Sequence, residues 1–523
     1  MELRPMKQSD LQNKHVRHGK GVPLAVFFVV LAAELIAAYV LIYQRGYVMN
    51  DALSRTANAY YVFHVKPYKL ASIGFVWNPL PSLLQLPILQ FSSAWPPLAT
   101  HGLAGCIVTA FFAAFNAAYL MRCFQRTGLE TAWALTLTAL FAFNPFIFYY
   151  GCNGMSEMLF ITSMMVTVVA LTRWMQERKT TDLILIAAML VMGFLCRYEA
   201  IPFAAGTGLA LVVIMFFLPD VYSPLEKKSF GMKFHHFMAT GVVVFLPVLY
   251  TLLIWIFLNW TIMGDPLYFQ RSNYSNAAQA SYTQRVGVSN ALIKTLPFAL
   301  LYLVIGLQRL LRGRLLKGDF LVLTFLVGVV TAFHYAMLLS GSSYGWLRFF
   351  CFALPVCAAW LPYELSQWKG TFRLLVLFLC GGAILVSGMM LWTYFPNPDR
   401  APEEYGAIVQ TDTFMVSMQR RAAARINESY SDGILLLDSS KADGLILNLT
   451  YPENLIINSV SGFYAIVKKP WEYGVRYVLV SMPEERSSLD EFGMTHPGLY
   501  EHGADWCVEL EDLGIYKIFE VIY

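Results

Sequence analysis

The chain has 523 residues, of which 57% are hydrophobic and 14% charged. That is well short of the roughly 25% charge of soluble domains, and with a mean hydropathy of +0.51 it excludes an ordinary soluble protein. A net charge of +4 is too small to argue for nucleic acid as a partner, and eight scattered cysteines with no CxxC pair indicate neither a zinc site nor a disulfide framework.

The first 21 residues are basic and polar (Arg4, Lys7, Lys14, Arg17, Lys20). The apolar run that follows has no cleavage site of the signal-peptide kind and reads as a retained first span. A bilayer-crossing helix needs about 20 mainly apolar residues. Eleven segments qualify: 22–43, 101–121, 131–149, 156–173, 182–198, 200–218, 237–258, 293–308, 319–339, 347–365 and 372–394. The block 75–94 is apolar too, but Pro79, Pro81 and Pro87 interrupt it. Proline removes a backbone donor and clashes with the preceding turn, so this block reads as a surface-lying or re-entrant segment. With the N-terminus in the cytoplasm, 19 Lys and Arg residues fall on the cytoplasmic side and 9 on the other, the C-terminal module left out. That asymmetry orients the bundle and puts the C-terminal module outside the cytoplasm.

The predicted architecture is therefore a polytopic α-helical membrane protein of about eleven transmembrane helices. A cytoplasmic tail (1–21) precedes a membrane module (22–395, first outer loop 44–100), and an extracytoplasmic α/β domain (396–523) follows. In that domain strand-like runs at 433–438, 454–458, 476–481 and 514–521 follow a helical pattern at 411–426. No nucleotide-binding glycine fingerprint or nucleophile elbow occurs there, so it reads as a lid or acceptor-docking domain.

Polar residues at loop–membrane junctions are where chemistry concentrates in such proteins. Asp51, Arg55 and Asn58 follow the first span at i, i+4 and i+7, on one face of a helix starting near Asn50. Spacing alone reads first as a helix cap with an ion pair. A carboxylate there can also take a proton from a hydroxyl, and a nearby guanidinium can hold a phosphate oxygen. A very short loop then carries Asn153, Ser156 and Glu157, again compatible with capping. Arg197-Tyr198-Glu199 sits at the next outer junction, where an arginine needs Glu199 or a lipid phosphate as partner. Arg348 lies at a later outer boundary, after the loop that carries Asp265 and Arg271. Glu34, inside the first span, is expected to face the bundle, and His334 to be a satisfied core or interface histidine.

Together these clusters resemble the GT-C class of membrane glycosyltransferases, which includes protein O-mannosyltransferases, lipid A aminoarabinose transferases and GPI-anchor mannosyltransferases. In that class an acidic residue lies in the first outer loop, a short second outer loop carries another, and an α/β module often follows the last span. Asp51 and Glu157 stand at those positions. Asn144-Pro145 to Phe160 and Arg197-Tyr198-Glu199 look like the corresponding stretches of bacterial members. Many members pair two acidic residues in the first loop, where this chain has Asn50-Asp51.

The resemblance implies an inverting transferase in the bacterial plasma membrane. Its donor would be a polyprenyl-phosphate-sugar, its acceptor a hydroxyl on a glycan, lipid or protein, and membrane lipids would surround it. Asp51 and Glu157 would be catalytic, with Asp51 as base. Arg55, Asn58, Asn153, Arg197, Tyr198, Glu199 and Arg348 would bind substrate, with no metal or other cofactor required. A transporter or lipid flippase is the alternative; it predicts inverted repeats and helices interrupted at the midplane, which the sequence does not show. A third possibility is a non-catalytic scaffold whose C-terminal module binds a partner.

Overall fold

The computed structural model describes residues 21–218, 229–275, 278, 287–315, 318–409, 414–483 and 490–522. The basic tail, Lys227, Lys228, Arg285, Lys317 and the first residues of the 411–426 helical pattern lie outside the described residues.

In lipid every backbone polar group must be satisfied internally, so the apolar runs fold as helices. In chain order they are α1 (Val22–Ala38, continued by a π-helical turn at Tyr39–Gln44), α2 (Asn50–His64), α3 (Leu103–Arg126), α4 (Thr131–Ala142), α5 (Pro145–Cys152), α6 (Glu157–Glu177), α7 (Thr180–Cys196), α8 (Ala200–Phe216), α9 (Phe230–Met263), α10 (Val288–Leu310), α11 (Gly318–Leu339), α12 (Ala353–Ser366) and α13 (Gly370–Tyr394). Among the described residues, eight helical stretches are long and apolar enough to cross a membrane, and the chain is an integral membrane protein.

The remaining three of the eleven expected spans are helical with differences. Residues 131–149 form two helices, α4 and α5, bent by 66°. Asn144 caps α5 by accepting from the Phe146 amide, and Pro145 occupies its first turn, where the missing N–H costs nothing. α7 and α8 are shorter than a full span, parted by Arg197-Tyr198-Glu199. The 75–94 block is not a continuous helix. It breaks into helical turns at Leu80–Leu83 and Leu86–Leu89, each with proline in its first turn, as the prolines predict.

α6 is mainly apolar and buried almost throughout, as a central helix should be. α9 is the opposite: an outer helix whose apolar side chains remain largely exposed. Glu34 does face the bundle, packed directly on Gly151 of α5. His334 is buried between the rings of Phe349 and Phe352, but its Nε2 has no hydrogen-bond partner among the described residues, so it is a packed histidine rather than a satisfied one.

After α13, α14 (Pro402–Val409) leads to α15 (Phe414–Ser429) and a five-stranded sheet in the order β2-β1-β3-β5-β4. β1 (Leu435–Leu437) lies parallel to β2 (Leu455–Ile456) and β3 (Tyr477–Ser481); β5 (Tyr516–Val521) runs antiparallel to β3 and to β4 (Cys507–Asp512). Strand side chains alternate between faces. Leu436, Val478, Val480 and Phe519 build a core of the domain's own with Phe463 and Phe492. Leu435, Leu437, Leu479 and Ile518 face the other way, into an apolar core continuous with the membrane bundle. That continuity fixes the domain on the bundle and brings its turns over α2.

Candidate active site

α2 is amphipathic: Ala52, Thr56, Ala57 and Ala59 are buried in the core, while Asp51, Ser54, Arg55, Asn58 and Tyr61 line a cavity of about 680 Å3. The cavity has a second wall made by Lys69–Asn78, a third by Arg197-Tyr198-Glu199 with Trp346 and Arg348, and a roof from the C-terminal domain that includes Asp443, Asn458 and Tyr464. Ser82 donates to the Arg55 carbonyl at 2.9 Å, and Thr56 to Gln85 at 2.7 Å. The proline-broken 75–94 block is thereby clamped against α2.

Arg348 organises the charge. Its Nη2 donates to Asp51 Oδ2 at 2.9 Å, its Nη1 to Glu157 Oε1 at 3.4 Å, and its Nε lies 2.9 Å from Glu403 Oε2. Glu157, fully buried at the start of α6, also receives Arg197, which pairs in turn with Glu199 at 2.6 Å and reaches Ser156 at 3.2 Å. Burial pushes the Asp51 carboxyl upward, but Arg348, Arg55 and Arg197 outweigh it and hold the group below the usual aspartate range.

Arg55 differs from the other two arginines. Among the described residues it makes no ion pair: its guanidinium lies over the Trp77 ring at 4.4 Å, its Nη1 reaches only the Asp51 carbonyl at 3.4 Å, and its Nε is buried without a partner. Burial lowers its pKa to about 10, which leaves it charged at neutral pH. Lys69, on the same cavity, likewise has no carboxylate partner among the described residues.

Seven of the nine residues singled out in the sequence thus meet at one cavity: Asp51, Arg55, Asn58, Arg197, Tyr198, Glu199 and Arg348. Glu157 does not line it; it stands behind it, fixing Arg197 and Arg348. Asn153 is buried away from it and accepts from the Met155 amide at 3.1 Å, a local turn bond. Tyr198 is held by Trp255, whose indole donates to its hydroxyl at 3.1 Å.

Other site residues are not among those singled out. Glu403 and Glu404 enter from α14, Glu404 accepting from Tyr150 at 2.7 Å; burial pushes both carboxyls up, Arg348 offsetting part of it for Glu403. Their one sequence signal is a carboxylate pair just after the last span. Asp443 accepts from Ser54 and, at 2.8 Å, from Tyr61. Nothing local marks it, since Asp-Gly reads as a turn. No cluster of potential metal ligands occurs among the described residues.

An integral membrane protein of the GT-C fold, with a carboxylate–guanidinium cluster on a cavity roofed by its C-terminal domain, is the class that fold and site define. The structure of ArnT from Cupriavidus metallidurans in the apo state is similar at a TM-score of 0.56 and 13% identity, over 94% of this chain and 97% of that one. The archaeal oligosaccharyltransferase AglB from Archaeoglobus fulgidus, in complex with an inhibitory peptide and a dolichol-phosphate, gives a TM-score of 0.46 at 11% identity, over 88% of this chain and 69% of that one. At these identities the likeness is one of fold, carried by the first comparison. No protein-family model matches the chain, and no curated protein sequence matches it.

Proposed function

We propose that the chain is an inverting glycosyltransferase that moves a sugar from a polyprenyl-phosphate donor to a hydroxyl of a glycan, lipid or protein acceptor on the extracytoplasmic face of a bacterial plasma membrane. The observation that carries this reading is the pairing, on one cavity wall, of an ionised Asp51 fixed by Arg348 with an Arg55 that has no carboxylate of its own. A guanidinium forks onto phosphate oxygens and stays protonated. Arg197 and Arg348 are already occupied by carboxylates; Arg55, helped by Lys69, is the cation with capacity for the donor phosphate.

The acceptor oxygen attacks the anomeric carbon while Asp51 draws its proton. The bond from that carbon to the phosphate oxygen breaks, and its electron pair leaves with the polyprenyl phosphate. Attack opposite the leaving group inverts the anomeric centre, by the geometry of inverting glycosidases. Glu157 and Glu199 hold the arginines in place, and no metal is needed in this scheme. The broken 75–94 block, with Phe91 and the adjoining Trp95 exposed, is suited to lie at the membrane surface and guide the lipid tail. The fold shared with ArnT is compatible with this reading.

The test is Asp51→Asn in proteoliposomes, assayed with radiolabelled undecaprenyl-phosphate hexoses and pentoses. Loss of transfer with normal thermal stability and retained undecaprenyl-phosphate binding supports the assignment. Transfer at the wild-type rate removes Asp51 from the chemistry.

A further inference from the structure

The cavity holds another carboxylate, besides Asp51 and Glu199, in a very different setting. Asp443 comes from the C-terminal domain, at the start of a helical turn (Asp443–Ile446) that packs on α2. Its two oxygens accept from Ser54 Oγ and Tyr61 Oη, both neutral donors on the helix that carries Asp51. No cation lies within ion-pair distance of it among the described residues, whereas Asp51 is bound to Arg348. Ser54 is three residues after Asp51, hence its neighbour on the helix surface. The charged and titratable groups that act on Asp443 include Asp51 and Tyr61 from α2 and Asp438 from its own domain, and Lys441, Tyr274 and Tyr464 line the same cavity.

We infer that Asp443 is the resting place of the acceptor's proton: Asp51 takes it during attack, and Ser54 passes it on by accepting from protonated Asp51 while donating its own proton to Asp443. This rests on the transferase reading above. Each step conserves protons. Asp51 returns to its ionised, Arg348-bound form, and Asp443 is left neutral until it equilibrates with water. Two carboxylates whose surroundings push their affinities apart are how a site divides proton work. Burial pushes Asp443 up to about 6, its two hydrogen bonds offsetting part of that and Asp438 and Asp51 adding to it, while Asp51 is held down. The transfer from Asp51 to Asp443 is therefore downhill. Because Asp443 must be ionised to receive a proton, transfer falls as pH drops through about 6.

Two measurements on the full-length protein in proteoliposomes test this. The first is carbodiimide labelling of Asp443 from pH 4.5 to 8, read by mass spectrometry, which requires no sugar donor. A midpoint near 6 supports the inference; labelling that stays at its floor down to the acid end overturns it. The second is the pH–rate profile with whichever undecaprenyl-phosphate sugar the wild type turns over. The wild type is expected to lose activity below the Asp443 midpoint. Asp443→Asn and Ser54→Ala are expected to be at least about tenfold slower, and the Asn variant to lack that acid limb; Asp443→Glu is expected to restore it. An acid limb unchanged in Asp443→Asn overturns the relay. Absence of transfer with every donor tested, alongside a normal labelling midpoint, counts against the transferase reading and not against the proton affinity of Asp443.

Discussion

Among the described residues the molecule contains two buried arginine–carboxylate clusters, and only one of them is built like an active site. At one end of α10, Arg309 binds Glu364 through Nε, 3.1 Å from both carboxylate oxygens, and through Nη2, and it binds Asp319 through Nη1 at 2.9 Å. Trp360 and Trp368 donate to the same Glu364, at 3.3 and 3.1 Å. Every strong group there is used, and none lines the site cavity. At the other end of the same helix Lys294 donates to the Gly345 carbonyl at 2.8 Å and so braces the loop that carries Arg348. Lys294 and Arg309 are fifteen positions apart, so the two ends are roughly 20 Å apart along the axis. Around Arg348 three carboxylates compete for one guanidinium, the contact with Glu403 lacks hydrogen-bond alignment, and Arg55 stands by unpaired. A closed network ties helices together; an unfinished one facing a cavity is arranged for a ligand.

That contrast can be broken by mutation. The largest effect on transfer is expected from Arg348→Gln, which frees Asp51: a loss on the order of 10²–10³-fold in rate per folded molecule, alongside some loss of stability because Asp51 and Glu403 lose their cation while Glu157 keeps Arg197. Arg309→Met is expected to separate the two properties. It strands Glu364 in the core at about 3–5 kcal/mol, seen as a lower unfolding temperature in detergent, while the activity per folded molecule stays near wild type. Equal losses of both properties in the two variants would erase the distinction. Next comes Arg55→Gln, expected to weaken undecaprenyl-phosphate binding by about tenfold or more, the worth of one hydrogen bond to a charged group, without altering stability. The smallest effect belongs to Glu403→Gln. With one competitor neutralised, Arg348 holds Asp51 more tightly, and transfer is expected to slow by less than about tenfold, the equivalent of one pKa unit in the base. Faster transfer in that variant would show that Glu403 hinders Arg348 rather than sharing it.

What the sequence revealed follows the range of the forces involved. The helices were legible because lipid demands continuous apolar runs, and proline marked the break throughout 75–94; at Asn144-Pro145 one proline inside an otherwise apolar run left 131–149 reading as a single span, where the structure bends. β4 escaped notice because it is an edge strand in which Glu509, Glu511 and Asp512 interrupt the apolar residues, charges that blunt an open edge and erase the hydrophobic pattern. At the site, Asp51, Arg55 and Asn58 share one helix turn pattern, and Arg197 and Glu199 are near neighbours, so short spacings exposed them. Glu403 and Asp443 meet Arg348 and Ser54 across 55 and 389 residues of chain. Their partners are set by how α14 and the C-terminal domain dock, which no local pattern encodes. Asn153 misled in the opposite sense: it sits in an acidic, polar loop, yet it spends its side chain on a turn.

A structure with undecaprenyl phosphate bound tests the role of Arg55 at the cavity. Phosphate density is expected within hydrogen-bond reach of Arg55, inside the cavity, with Arg348 still on Asp51. Phosphate density elsewhere on the bundle, or Asp51 turned away into the lipid, would contradict it.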